Sequence, residues 1–130
     1  MKILLDTHVF LWYISGDSKL PLAYRDAVRD PFNDVFLSTA SVWEAAIKDQ
    51  LGKLSLPAPA AIYLPQQRIK HGIESFSIEE CVLPALASLP LIHRDPFDRI
   101  LIAQTNHYGL TLASVDPEVR AYSVSILPTN

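Results

Sequence analysis

The segment His93-Arg94-Asp95-Pro96-Phe97-Asp98-Arg99, running on through Ile100-Leu101-Ile102-Ala103-Gln104, constrains the fold more than any other. It opens a helix with two carboxylates. Asp95 suits the N-cap, Pro96 the first helical position and Asp98 the first turn. Gly109, just after Tyr108, is a good left-handed stop. Acids in a first turn favour the helix dipole, but the dipole does not require two of them. Arg94 and Arg99 flank the pair, so acid and base are mixed here. The question is which other parts of the chain meet Asp98.

The remaining elements follow from apolar spacing and its punctuation. Ile3-Leu4-Leu5 is an unbroken apolar run, as expected of a central parallel strand buried on both faces. It ends at Asp6-Thr7, and a helix pattern follows from His8 to about Ser15, stopped by Gly16. A second helix runs from Pro21 to Arg29, with a turn over Asp30 to Asp34. Val35–Ser38 reads as a strand and Ser41 to Leu51 as a helix, with Val42, Trp43, Ala46, Ile47 and Leu51 at helical spacing. The proline-rich Leu54–Pro65 stretch reads as a loop, leading to a short helix that ends near His71-Gly72. Ile73–Phe76 is a strand, and Pro84 breaks or kinks any helix begun at Glu79. Leu110–Ser114 is a strand ending at Asp116-Pro117. Val119–Tyr122 makes one helical turn and Val124–Ile126 a last strand. Strands alternating with helices imply an α/β sandwich around a mainly parallel sheet.

In such a sheet, sites form outside the carboxyl ends of the strands. Asp6 and Asp116 each follow a strand directly, and Glu44 lies in the first turn of the helix after Val35–Ser38. About eleven helical residues at 1.5 Å run roughly 16 Å down from Asp98. About five strand residues at 3.3 Å bring the chain roughly 16 Å back to Asp116. Asp6, Glu44, Asp98 and Asp116 therefore converge. Uncompensated, four like charges raise one another's pKa. A hard divalent cation, Mg²⁺ or Mn²⁺, removes that penalty because it prefers oxygen ligands. Next to a phosphodiester such an ion supports hydrolysis.

Composition narrows the setting. At 130 residues and 49% hydrophobic, the chain suits one compact domain over residues 1–130. A net charge of -3 gives no bulk nucleic-acid signal, so any such partner needs a local basic patch. Arg94, Arg99, Lys48 and Lys53 are the candidates for that rim. Cys81 stands alone, and the early Asp6 interrupts any leader-like run, so a cytoplasmic protein is expected. No apolar run is long enough to span a membrane.

Leu4-Leu5-Asp6-Thr7-His8, Ser41-Val42-Trp43-Glu44-Ala45-Ala46-Ile47-Lys48, Asp95-Pro96-Phe97-Asp98-Arg99 and Asp116-Pro117 together resemble the PIN-domain ribonucleases. The likeness is to the VapC-type toxins of toxin–antitoxin pairs in particular. It spans both ends of the chain and its middle, and Asp-Pro-Phe-Asp-Arg is its most specific part. The resemblance implies a PIN-like three-layer sandwich and RNA cleavage dependent on Mg²⁺ or Mn²⁺. It implies metal ligation by Asp6, Glu44, Asp98 and Asp116, with Thr7 as a helper. It also implies a homodimer and a cognate antitoxin whose tail enters the acidic site. Asp116 departs slightly from the pattern, being followed by Pro117-Glu118.

Several residues carry a plainer reading as well. Ser41-Val42-Trp43-Glu44 fits a capping box, in which Glu44 merely bonds the Ser41 N–H. The resemblance lets Asp95 replace or assist Asp98, but its plainer reading is a helix cap, and that of Asp116-Pro117 is a simple turn. Lys48 pairs with Glu44 four residues earlier or touches phosphate. Trp12, Trp43 and Cys81 read as core. The four histidines lack metal-ligand spacing, so zinc is not expected. A non-catalytic PIN-like interaction module is one competing function. A haloacid-dehalogenase-like phosphatase is another, but it wants an Asp where His8 stands. A receiver domain of two-component signalling also has an acidic pocket, but this chain lacks the lysine that such a domain carries after its last strand.

Overall fold

Ile3-Leu4-Leu5 lies where a run with no polar face must lie, in the middle of a sheet. The computed structural model describes residues 1–130. In it β1 (Lys2–Leu5) is flanked by β2 (Asp34–Ser38) and β4 (Thr111–Ala113), and β3 (Glu74–Phe76) lies outside β2. All pairings are parallel, with Leu4 opposite both Phe36 and Leu112. Successive β1 residues feed opposite cores. Ile3 and Leu5 join Val9, Phe10, Tyr24, Val35, Leu37 and Leu64. Leu4 joins Leu101, Ile102, Leu112 and Tyr122 on the other side. A central strand sealed on both faces makes three layers. Burying each of these side chains contributes roughly 1.5–3 kcal/mol.

The helices are α1 (Thr7–Ser15), α2 (Leu22–Arg29), α3 (Thr39–Gln50), α4 (Ala60–Lys70), α5 (Leu83–Ala87), α6 (Pro96–Tyr108) and α7 (Pro117–Arg120). α1 and α6 end as the sequence implies, on Gly16 and Gly109 in the left-handed region (φ 68° and 66°). Three details differ from the sequence reading. α4 begins inside the expected Leu54–Pro65 loop and carries Pro65 within it. Asp49 of α3 accepts a hydrogen bond from the Ala60 N–H (3.0 Å), and burial of Ala60 and Leu64 repays the bond that Pro65 cannot donate. Glu80–Val82 forms a 3-10 turn leading into α5, where Pro84 is accommodated in the first turn. The last strand reduces to a single parallel bridge, Leu112 to Ile126.

α3 also starts earlier than its spacing suggests. Ser38, at the end of β2, is the N-cap, and its hydroxyl accepts from the Ala40 N–H (3.1 Å). Ser41 is thus inside the helix, and the Ser41–Glu44 capping box does not form. Ser38→Ala should therefore lower stability by about 1 kcal/mol, read as a shift in the urea midpoint at unchanged slope. An unshifted midpoint would mean the helix start is held by packing alone.

Candidate functional site

Asp6 leaves β1 and caps α1. One carboxylate oxygen accepts from the His8 N–H (3.4 Å), and the other accepts from the Ser114 hydroxyl (2.6 Å). Its own N–H bonds Ala113 on β4 (3.0 Å). Burial pushes the Asp6 carboxyl above the usual range; the Ser114 hydrogen bond draws it part of the way back, and the Glu44 charge adds to the rise. Thr7, buried beside it, has its hydroxyl within 2.7 Å of Glu44 Oε1 and 2.9 Å of Ser41 Oγ. Glu44 projects from the second turn of α3, not the first. Its other oxygen accepts from Lys48 Nζ at 2.9 Å, the i,i+4 pair anticipated from the sequence.

Asp95 caps α6, accepting from the Phe97 N–H (2.9 Å) and the Asp98 N–H (3.3 Å). That ties down the first turn from which Asp98 points inward. Asp6, Glu44 and Asp98 are 4%, 5% and 8% exposed, and no other acid in the chain is buried. Burial is the main reason the Asp98 carboxyl is pushed up to about 7, with the charges of Asp6, Asp95 and Glu44 adding to it; the His93 hydrogen bond opposes them. Asp116 caps α7 and is half-buried. Ser114 joins it to Asp6, because the Ser114 hydroxyl accepts from the Asp116 N–H (3.2 Å) while donating to Asp6. Asp6 and Asp116 share an open cleft of about 280 Å³ with His8 and Trp12.

Sequence reasoning passed over His93. Its Nε2 lies 2.9 Å from Asp98 Oδ2 and its Nδ1 2.6 Å from Glu118 Oε2. One ligand atom each from His93, Asp98 and Asp116 falls within a 4.8 Å span. Spacing rules look for histidines along one helix, whereas His93 precedes α6 and folds back over its first turn. The clue available was its place in the same acidic segment as Asp95 and Asp98.

Other assignments change. Arg99 turns inward: its guanidinium donates to the Pro90 carbonyl (2.9 Å), the Tyr122 hydroxyl (2.9 Å) and the Leu89 carbonyl (3.4 Å). It clamps the loop carrying His93 and is no part of a basic rim. Lys48, Lys53 and Arg94 instead line a cleft with Glu44 and Asp95. Trp43 is not core: it is 61% exposed, edge-on to Phe97. Trp12 is half-buried at the cleft. Cys81 is exposed, its sulfur 3.4 Å from the Tyr108 hydroxyl, since the 3-10 turn directs only Val82 inward.

Residues 3–124 match the PIN domain family. The chain belongs to that family. Among relatives of this PIN domain is ribonuclease VapC16 of Mycobacterium tuberculosis (strain ATCC 25618 / H37Rv), 42% identical over 55 residues. That match spans 42% of this chain and only 39% of the relative. Ribonuclease VapC22 of the same organism is 26% identical over 92% of this chain and 91% of its own length. In fold, the PIN domain is similar to VapBC2 from Rickettsia felis, solved bound to a DNA fragment from their promoter (TM-score 0.68, 13% identity, 98% of each chain). It is also similar to FitAB bound to the IR36 DNA fragment (TM-score 0.66, 19% identity, 98% of this chain and 94% of that one). No helix of the PIN domain is long and apolar enough to cross a membrane.

The donor set of this PIN domain fits a divalent cation: buried carboxylates that repel one another, with oxygen and nitrogen donors a few ångströms apart. Without metal the repulsion should appear in the pH dependence of stability. Folded Asp98 keeps its proton up to about pH 7, while the unfolded chain releases it near about 3.9. Between those values the folded state binds more protons, so stability falls as pH rises and the loss is complete above about 7. His93, whose carboxylate partners outweigh its burial and raise it above 6.5, gives a slope of the same sign at higher pH. In EDTA the melting temperature should fall across this window, and Asp98→Asn should flatten the fall. Parallel curves for the two proteins would contradict a destabilising charge at Asp98.

Proposed function

We propose that the protein is a metal-dependent endoribonuclease, hydrolysing RNA phosphodiesters as the toxin of a toxin–antitoxin pair. The observation that carries this reading is that the chain's only buried acids, Asp6, Glu44 and Asp98, couple electrostatically at one edge of a parallel sheet. Mutually repelling buried carboxylates cost the fold stability, and a bound cation would remove that cost. Asp6, Glu44, Asp98 and Asp116 would hold Mg²⁺ or Mn²⁺. When bound, the cation would activate water and stabilise charge on the attacking and leaving oxygens of the phosphodiester.

The chain's own groups set the stage for that chemistry. Ser114 orients Asp6, Thr7 and Lys48 hold the two oxygens of Glu44, and Asp95 fixes the turn from which Asp98 projects. Lys48 and Arg94, with Lys53, offer positive charge beside the acids, where a phosphate backbone needs it. The names of the VapC relatives support RNA as substrate. VapBC2, a toxin–antitoxin complex of the same fold, supports an antitoxin as partner. The reading places residues 1–130 in the cytoplasm as one domain. It also includes a homodimer, for which exposed Trp43, Ile78 and Leu83 around an apolar groove offer a surface.

The test is cleavage of structured RNAs with and without Mg²⁺. Asp6→Asn and Asp98→Asn should each lose more activity than the roughly 10–100-fold typical of groups outside the ligand set, while keeping the fold by circular dichroism. Glu44→Gln should lose most activity too, and Asp95→Asn little, because Asn caps well. Saturating Mg²⁺ should stabilise wild type by about 2.7 kcal/mol at roughly a hundred times its dissociation constant. Wild-type cleavage by both Asp→Asn variants would sink the nuclease reading.

A further inference from the structure

We propose that His93 is a nitrogen ligand of the divalent cation, oriented by Glu118, and that it tilts the site from Mg²⁺ towards first-row transition ions such as Mn²⁺. The inference rests on the metal-site reading above but adds a residue and a metal preference that the carboxylate quartet alone does not contain.

Geometry supplies the argument. An octahedral ion with donors at about 2.1 Å places adjacent donors about 3.0 Å apart and opposite donors about 4.2 Å apart. His93 Nε2 and Asp98 Oδ2 are 2.9 Å apart, the separation of two adjacent ligands. One ligand atom each from His93, Asp98 and Asp116 falls within 4.8 Å, about 0.6 Å beyond the separation of opposite donors round one such ion. The ring's other nitrogen, Nδ1, faces Glu118 Oε2 at 2.6 Å. Metal-bound histidines characteristically donate their second N–H to a carboxylate, which fixes the tautomer and aims the remaining lone pair at the ion. Here that arrangement aims Nε2 at Asp98.

The placement of His93 is built, not incidental. Its N–H donates to the Tyr122 hydroxyl (2.9 Å), and Arg99 donates to that same hydroxyl (2.9 Å). Asp116 caps α7 and Glu118 lies in its first turn, the Glu118 N–H donating to Asp116 Oδ1 (2.9 Å). One short element therefore presents a ligand and the residue that orients another. An imidazole ligand strengthens binding of transition ions, while Mg²⁺ is served best by oxygen donors. The rival role for His93 is a cationic bridge between Asp98 and Glu118, which predicts no bond from nitrogen to metal.

Mn²⁺ itself is the probe. Binding is titrated by the loss of the free-ion electron paramagnetic resonance signal, and ligation is read from ¹⁴N modulation of the bound Mn²⁺ echo. Wild type should bind Mn²⁺ and show directly coupled imidazole nitrogen. His93→Gln should lose the coupling and bind Mn²⁺ at least about tenfold more weakly, with a smaller change for competing Mg²⁺. Glu118→Gln should keep the coupling but weaken Mn²⁺ binding by roughly 10–100-fold. Because His8 also borders the cleft, His8→Gln must retain the coupling; its loss there would reassign the nitrogen and overturn the proposal. Should His93→Gln not fold, the wild-type and His8→Gln spectra still decide. Mn²⁺ bound without ¹⁴N coupling would make His93 a bridge only and leave the nuclease reading intact. Failure of wild type to bind Mn²⁺ or Mg²⁺ would overturn the metal site itself.

Discussion

Three carboxylates buried against one another, Asp6, Glu44 and Asp98, set the terms for the rest of the molecule. Each costs free energy to desolvate, and their proximity adds repulsion. The surrounding structure offsets this locally. Asp6 takes a helix N-terminus and the Ser114 hydroxyl, Glu44 takes Thr7 and Lys48, and Asp98 takes His93. The offset is incomplete, which is why burial leaves Asp6 and Asp98 with raised pKa values. The donor set that results fits a divalent cation.

Holding the acids together falls to a second set of residues that touch none of the chemistry. Tyr24, fully buried, places its hydroxyl 2.6 Å from the Leu127 carbonyl and 3.1 Å from that of Ser114. Arg120 Nε donates to the same Ser114 carbonyl (3.1 Å). Together they fix the end of β4, from which Ser114 reaches Asp6 and the chain turns into Asp116. On the other side, Arg99 and Tyr122 pin the loop that delivers His93. The planar fork of Arg99, reaching several acceptors from one group, suits it to this in a way a lysine ammonium would not match.

Much of this was legible in the chain. The glycine stops at Gly16 and Gly109 and the Asp95 cap each act through bonds within a few residues, and the apolar run Ile3-Leu4-Leu5 acts through its own burial. Periodicity located the elements, and element lengths alone carried Asp98 and Asp116 to one edge. What local pattern could not show is where a side chain finds a distant partner. The Ser41–Glu44 capping box was chemically sound, yet Ser38 took the cap because β2 ends there and Thr7 claimed Glu44 from 37 residues away.

The sequence by itself determined the alternation of strands and helices, the parallel sheet and the acids at its carboxyl edge. These follow from side-chain period and backbone capping, which are properties of short segments. Tertiary structure decided that Asp49 of α3 accepts from the Ala60 N–H at the start of α4, that Arg99 faces inward and Trp43 outward, and that His93 lies between Asp98 and Glu118. Ser114 and Asp6, which share a 2.6 Å hydrogen bond, are 108 residues apart. A pairing of that kind depends on which faces pack together, and no window of local sequence encodes it.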